Sequence, residues 1–225
     1  MRTAILAALL VTGSPAALGQ LDRLTQQEAI AGLKTALERG AHVAVARLGK
    51  VNGFLANPKV RIPLPESLQR AEEMARRFGF DEQADELIVA MNRAAEAAVP
   101  EARKLLIDAA RQMTVKDAKA IISGGNTAGT AYFRRTSHKQ LHARFLPIVK
   151  RSTEKVGVAR YYREFAAPAA SFGFISAEAA DLDEYVTQKA LDGLYFMLAE
   201  EENKIRRDPV GTGSEILKKV FGALL

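Results

Sequence analysis

Few residues in this sequence have the types and spacing that chemistry requires. His138 and His142 stand four apart, so both project from one face of a helix, as in two-histidine metal sites. No glutamate follows His138 in the metalloprotease pattern, no third ligand is evident, and Lys139 and Arg144 beside the pair repel a cation. The pair reads as a solvated helix face, and no metal or other cofactor is expected. Gly124-Gly125-Asn126-Thr127 leads into a segment carrying Arg134 and Arg135. Free backbone N–H groups at a helix start attract anions. The loop lacks the lysine and the preceding strand of a nucleotide-binding loop. It is either an anion site or a plain stop and restart between packed helices.

Charges that fall on apolar stripes form a third class. Leu194, Leu198 and Ile205 mark one helix face, and Glu201 lies on it. Lys189 follows Leu182 by one heptad and Tyr185 by four residues, and Arg61 sits between Val60 and Ile62. A buried charge must pair or change protonation state. Glu201 or Glu202 is therefore expected to pair with Arg61, Arg93 or Arg206, as an ion pair fixing helix register or as a perturbed carboxylate. The candidate ligand-binding residues are Arg61, Arg93, Tyr132, Arg134, Lys189 and Glu201. None is assigned a catalytic role, because no Ser/His/Asp order, metal set or phosphate loop stands out.

The frame that must position these residues is helical. In 225 residues, 48% are hydrophobic and 26% charged, an ordinary globular mix that argues against disorder and multiple membrane spans. With no cysteine, disulfides and thiolate chemistry are excluded. Residues 1–19 read as a secretory signal: Arg2, an apolar core from Ala4 to Val11 too short to span a bilayer, and Ala17-Leu18-Gly19 at the cleavage positions. The expected mature chain, 20–225, is one periplasmic helical domain. Export makes nucleic acid an unsuitable partner despite the net charge of +6.

Capping and periodicity place the elements. Thr25 with Glu28 predicts a helix start, and Gly49 its end. Pro58, Pro63 and Pro65 forbid a helix through 50–65 and predict an extended arm or a short edge strand. Helices follow from Glu66 to Phe78, from Asp81, from Pro100, and from Thr114 with Asp117 to Ile122. After the glycines come a short helix with Tyr132 and Phe133, and a long one capped by Ser137 to about Ala166, kinked or broken near Pro147. A loop over 167–180 precedes a helix from Asp181 or Asp183 to Arg207, and a terminal helix spans 214–225. That last helix either covers the others or lies on a membrane surface. The expectation is an all-α, single-domain bundle of about eight helices with an irregular proline-rich arm.

Several stretches resemble a bacterial exported helical family catalogued as domain of unknown function 4197. They include Asn57-Pro58-Lys59-Val60-Arg61-Ile62-Pro63-Leu64-Pro65, Met91-Asn92-Arg93-Ala94-Ala95-Glu96 and Ile121-Ile122-Ser123-Gly124-Gly125. Tyr132-Phe133-Arg134, Tyr185 to Leu194, Glu201-Glu202 with Ile205-Arg206, and Leu217 to Gly222 continue the likeness. The resemblance implies an exported helical domain and brings no catalytic residues. His138 and His142 lie outside these stretches.

Charge is segregated. Residues 134–163 hold nine Lys/Arg and one acid, a net +8, whereas 178–202 hold eight acids and Lys189. Two such segments joined by a short loop are expected to pair antiparallel. Surplus cations would leave an anion-attracting face. The function expected is a non-enzymatic periplasmic protein that binds an amphiphilic, anionic lipid-like ligand or an envelope protein partner, with peripheral membrane contact. The alternatives are a scaffold accessory of an envelope complex and an enzyme using buried carboxylate and arginine residues. A hollow interior favours the lipid-like ligand, and a solid one favours protein contact.

Overall fold

Every regular element among the described residues is helical, and none is a strand. The computed structural model describes residues 15–77, 81–157 and 182–208, with side chains from Gln27 onward. Along them run α1 (Pro15–Leu48), α2 (Glu66–Arg77), α3 (Asp81–Ala98), a 3-10 turn (Val99–Glu101), α4 (Ala102–Arg111), α5 (Val115–Ile122), α6 (Ala128–Val156) and α7 (Leu182–Arg207). The described residues are all-α, as the periodicity implies. The count of about eight is not matched: seven α-helices lie among the described residues. The signal core and the terminal helix expected over 214–225 fall outside them.

Three boundaries differ from expectation. α1 is already helical from Pro15, the first described residue, so the Thr25–Glu28 pair lies inside the helix and not at its start. The two helices expected around Tyr132 and after Ser137 are one, α6. Ser137 belongs to a buried stripe with Phe133, Leu141, Phe145, Val149 and Thr153, and packing along that stripe outweighs the local capping tendency. Pro147 is accommodated inside α6 on its exposed side, and the helix stops at Gly157 (φ 75°), not near Ala166. Elsewhere local chemistry holds. Thr114 and Asp117 form a reciprocal capping box at α5, and Arg135 adds a 2.9 Å bond to the same carboxylate. The Thr114 hydroxyl and this arginine hold Asp117 below its usual pKa.

α6 packs most extensively on α7, with α3 against both of them and α1 against α4 and α7. Arg134 pairs with Asp192 and His142 with Glu184, so α6 and α7 run antiparallel. The core between them is apolar and continuous, from Leu33 and Leu37 through Leu87, Met91, Phe133, Phe145 and Leu194.

The proline-rich segment is neither helix nor strand: turns occupy most of 51–60, and only 61–65 form a short extended arm. Val60, Ile62 and Leu64 are buried, while Arg61 and Pro63 face outward, the two-residue alternation of extended backbone. With no neighbouring strand, the backbone of Ile62 is served by one side chain. Asn92 on α3 accepts from Ile62 N–H at 2.9 Å and donates to Ile62 C=O at 2.9 Å and to Ile88 C=O at 2.8 Å. One turn later, Glu96 accepts from the N–H groups of Phe54 and Leu55 at 3.0 and 3.2 Å, while Arg93 binds its other oxygen at 2.6 Å. Arg93 also holds Asn52, which adopts φ 68°.

Asn92→Ala strips both polar groups of the buried Ile62 of their partner. We expect a loss of about 2–4 kcal/mol in urea unfolding, with helix content retained in the folded state.

Candidate functional site

The start of α6 exposes N–H groups that need an acceptor. Thr127 occupies the cap position and supplies no side-chain bond. The acceptor comes from α7 instead. Glu202 takes the N–H of Gly129 at 2.8 Å on one carboxylate oxygen, and the N–H and hydroxyl of Thr130 at 2.8 and 2.9 Å on the other. Arg206 completes the shell through Nε at 3.1 Å and Nη2 at 2.9 Å. The same Nη2 donates to the carbonyl of Ile121 at 2.8 Å, in the last turn of α5. A buried anion thus sits on the positive end of α6, and its cation partner sits on the negative end of α5. Gly129 permits this approach, because a Cβ there would lie 2.7 Å from Leu37 Cδ2 and 3.2 Å from the Glu202 carboxyl carbon.

Glu201, 8% exposed, serves α1 instead. Arg47 and Lys204 reach one of its oxygens at 2.8 and 2.7 Å. Lys59 of the arm pairs with Glu200 at 2.8 Å, so α7 binds α1, the arm, α5 and α6 near its C-terminal end. Side-chain bonding to Lys59 holds the Glu200 carboxyl below its usual pKa.

The middle of α7 faces α6 across ionic rungs. Arg134 approaches Asp192 at 3.7 Å and lies over the Tyr195 ring at 4.4 Å. His142 Nε2 is 2.7 Å from Glu184, and Thr153 donates to Asp183 at 2.6 Å. The His138 ring stacks on Tyr195, with centroids 6.1 Å apart, and lies tilted to the His142 ring at 6.5 Å. Burial pushes the Tyr195 phenol up to about 12.

The candidate residues do not meet in one cleft. Glu201 is buried as expected, but its partners are Arg47 and Lys204, not Arg61 or Arg93. Of the expected pairings, Glu202 with Arg206 is the one that forms. Arg93 is committed to Glu96, and buried Tyr132 donates to the Ala109 carbonyl at 2.7 Å, with its phenol pKa raised by burial. Arg61 and Lys189 are exposed, and Lys189 lies over the Tyr185 ring. The anion-attracting start of α6 is real as a local feature, but its anion is internal. Asn92, Glu96, Arg47 and Gly129 were not among the candidates. Asn92 and Glu96 follow Ile88 at four-residue steps on the buried stripe of α3, the same signal that marks Glu201.

A small, partly open pocket between α1, α6 and α7, lined by Leu33, Leu37, Phe133 and Leu198, measures about 20 Å³, room for one water. A larger open groove of about 660 Å³ lies along α3, bordered by Asp81, Glu82, Asp85 and Glu86 around Val89. Arg76 pairs with Asp81 and Asp85 of this rim, and Arg93 also lines it. Cations dominate the outside of α6: Lys139, Lys150, Arg151 and Lys155 are exposed, and none has an ion-pair partner among the described residues.

Glu202→Gln replaces an acceptor with a donor among converging N–H groups and leaves Arg206 uncompensated. A loss of about 3–5 kcal/mol is expected in chemical unfolding, and Gly129→Ala should lose about 1–3 kcal/mol by overpacking. The Tyr195 phenol is held neutral in the fold, so its contribution is intact below pH about 10 and falls away as pH rises toward 12. Ultraviolet titration of Tyr195 against the Tyr195→Phe variant should show that late ionisation.

No curated protein and no solved structure matches the chain. The sequence pattern of the family described as "Protein of unknown function (DUF4197)" covers residues 23–222. That span holds the arm, the α3 amide and carboxylate, and the Glu202–Arg206 junction, and the chain belongs to this family.

Proposed function

We propose that the protein is exported and acts without catalysis, docking on anionic phospholipid headgroups of the cell envelope through the outer face of α6. The observation that carries this is the set of exposed cations on that face, Lys139, Lys150, Arg151 and Lys155, which have no ion-pair partner among the described residues and are spread along a single helix. Charges so arranged attract a polyanionic surface, each contributing about 1 kcal/mol near anionic lipid. The pocket between α1, α6 and α7 is too small, at about 20 Å³, to admit a lipid tail, which supports surface docking over enclosure of an acyl chain there. No described helix is long and apolar enough to cross a membrane, which fits peripheral contact.

Export rests on the signal-like residues 1–19. Cleavage after Gly19 would shorten α1 but leave its buried face, which begins at Leu33 among the described side chains. The enzyme reading is weakened because Glu96, Glu201 and Glu202 are each saturated by cations or N–H donors.

A second reading, contact with an acidic segment of an envelope protein, rests on the opposite resource. Val60 packs near Gly193 and the Tyr185 hydroxyl donates to Pro63 C=O at 3.0 Å. These two contacts bracket exposed Arg61 on the arm and exposed Lys189 on α7, giving a small cationic face with Tyr185 beside it.

Flotation with vesicles separates the two. The mature chain should float with phosphatidylglycerol vesicles and not with phosphatidylcholine, and 0.5–1 M salt (about a 3–4 Å screening length) should release it. Replacing Lys139, Lys150, Arg151 and Lys155 with alanine should weaken binding by about a hundredfold or more, with unfolding unchanged. Equal binding to both vesicle types, or to neither, contradicts headgroup docking. Loss of binding in an Arg61→Ala/Lys189→Ala variant alone would move the contact to the arm.

A further inference from the structure

The turn after α1 carries the one asparagine–glycine step in the sequence, Asn52-Gly53. Geometry selects both residues. Asn52 adopts φ 68°, a left-handed conformation that asparagine tolerates better than most residues. A Cβ at position 53 would collide with the Leu48 carbonyl oxygen and lie 2.6 Å from that of Arg47, so the chain needs glycine there.

This pair is chemically labile. Glycine leaves its own peptide nitrogen unhindered, and that nitrogen can attack the preceding side-chain amide. A bond forms between Gly53 N and Asn52 Cγ, the Cγ–Nδ2 bond breaks, and ammonia leaves with the Gly53 amide proton. Water then opens the five-membered imide to aspartate or isoaspartate. Water is the one co-reactant, and Asn52 is exposed to it.

Both reacting groups are tied down. The Gly53 N–H donates to Lys50 C=O at 2.9 Å. Asn52 Oδ1 accepts from Arg93 Nη2 at 2.8 Å. Arg93 is itself held, because its Nη1 binds Glu96 at 2.6 Å, and Glu96 accepts from the N–H groups of Phe54 and Leu55 at 3.0 and 3.2 Å. Attack requires the nitrogen to lose its proton and the side-chain amide to close a ring with it. Each of these hydrogen bonds opposes that.

We propose that Asn52 is a latent deamidation site that Arg93 keeps silent in the folded protein. Arg93 acts as a positioning residue, fixing the amide to α3. Local opening of the turn releases the pair, and conversion is then irreversible. Isoaspartate adds a backbone carbon to a turn whose next residue already lies against the end of α1. The cations of α6 take no part, so headgroup docking and this site stand or fall separately.

Mass spectrometry of the full chain after incubation in warm, mildly alkaline buffer reads the conversion of Asn52 from amide to acid. The folded chain should convert about tenfold or more slowly than the guanidinium-unfolded chain. Arg93→Lys keeps a cation for Glu96 but lacks the fork that also reaches Asn52. While folded, it should convert Asn52 about tenfold faster than the native chain, with amide exchange in the core of α3 unchanged. Three results overturn the proposal: a folded native chain that converts as fast as the unfolded one, a folded Arg93→Lys chain that converts at the native rate, or an acceleration matched by equally faster exchange throughout α3.

Discussion

One carboxylate joins three helix ends. Glu202 neutralises the exposed N–H groups of α6 from outside that helix, and Arg206 balances the buried negative charge while reaching the last turn of α5. Removing water from a carboxylate is costly unless donors replace it, and here main-chain N–H groups, a hydroxyl and a guanidinium do so. The arrangement constrains what may surround it. Position 129 must lack a Cβ, Leu37 of α1 closes the space above it, and α7 must keep Glu202 and Arg206 one turn apart. Shifting α7 by one residue against α6 would break every one of these bonds together.

The same device recurs at smaller scale. Asn92 stands in for a neighbouring strand to the arm, and Glu96 holds the turn that precedes it. Extended backbone without a sheet has donors and acceptors to spare, and burying Val60, Ile62 and Leu64 would strand them. A helix carrying an amide and a carboxylate one turn apart on its inner stripe resolves that conflict. These are structural duties. They account for the buried polar groups of α3 and of the end of α7, and leave surface charge as the feature that could meet a partner.

Much of the fold was legible in the residues. The Thr114–Asp117 box, the stop at Gly49 and the proline arm all follow from local chemistry that no tertiary contact opposes. Where expectation failed, packing decided. Ser137 has a capping side chain, yet its place on a stripe running from Phe133 to Thr153 keeps it inside α6. Glu201 and Glu202 were legible as buried charges because they interrupt an apolar stripe. Arg206, one turn from Glu202, was legible as its partner. The distant partners were not, since Arg47 is 154 residues from Glu201 and Gly129 is 73 from Glu202, and no local pattern encodes such pairing. The antiparallel pairing of α6 with α7, expected of opposite-charged neighbours joined by a loop, is observed, while the rungs are few and partly exposed. Such pairs contribute roughly 0–1 kcal/mol each, so the apolar seam between the helices supplies most of the adhesion.

Backbone amide exchange tests the central claim most directly. First-turn N–H groups of a helix ordinarily have no intrahelical acceptor and exchange quickly. If the Glu202 carboxylate holds the start of α6, the amides of Gly129 and Thr130 will exchange only on global unfolding, at rates matching the core of α7. Exchange of these two amides as fast as an open helix end, with the core of α7 still protected, would contradict the account.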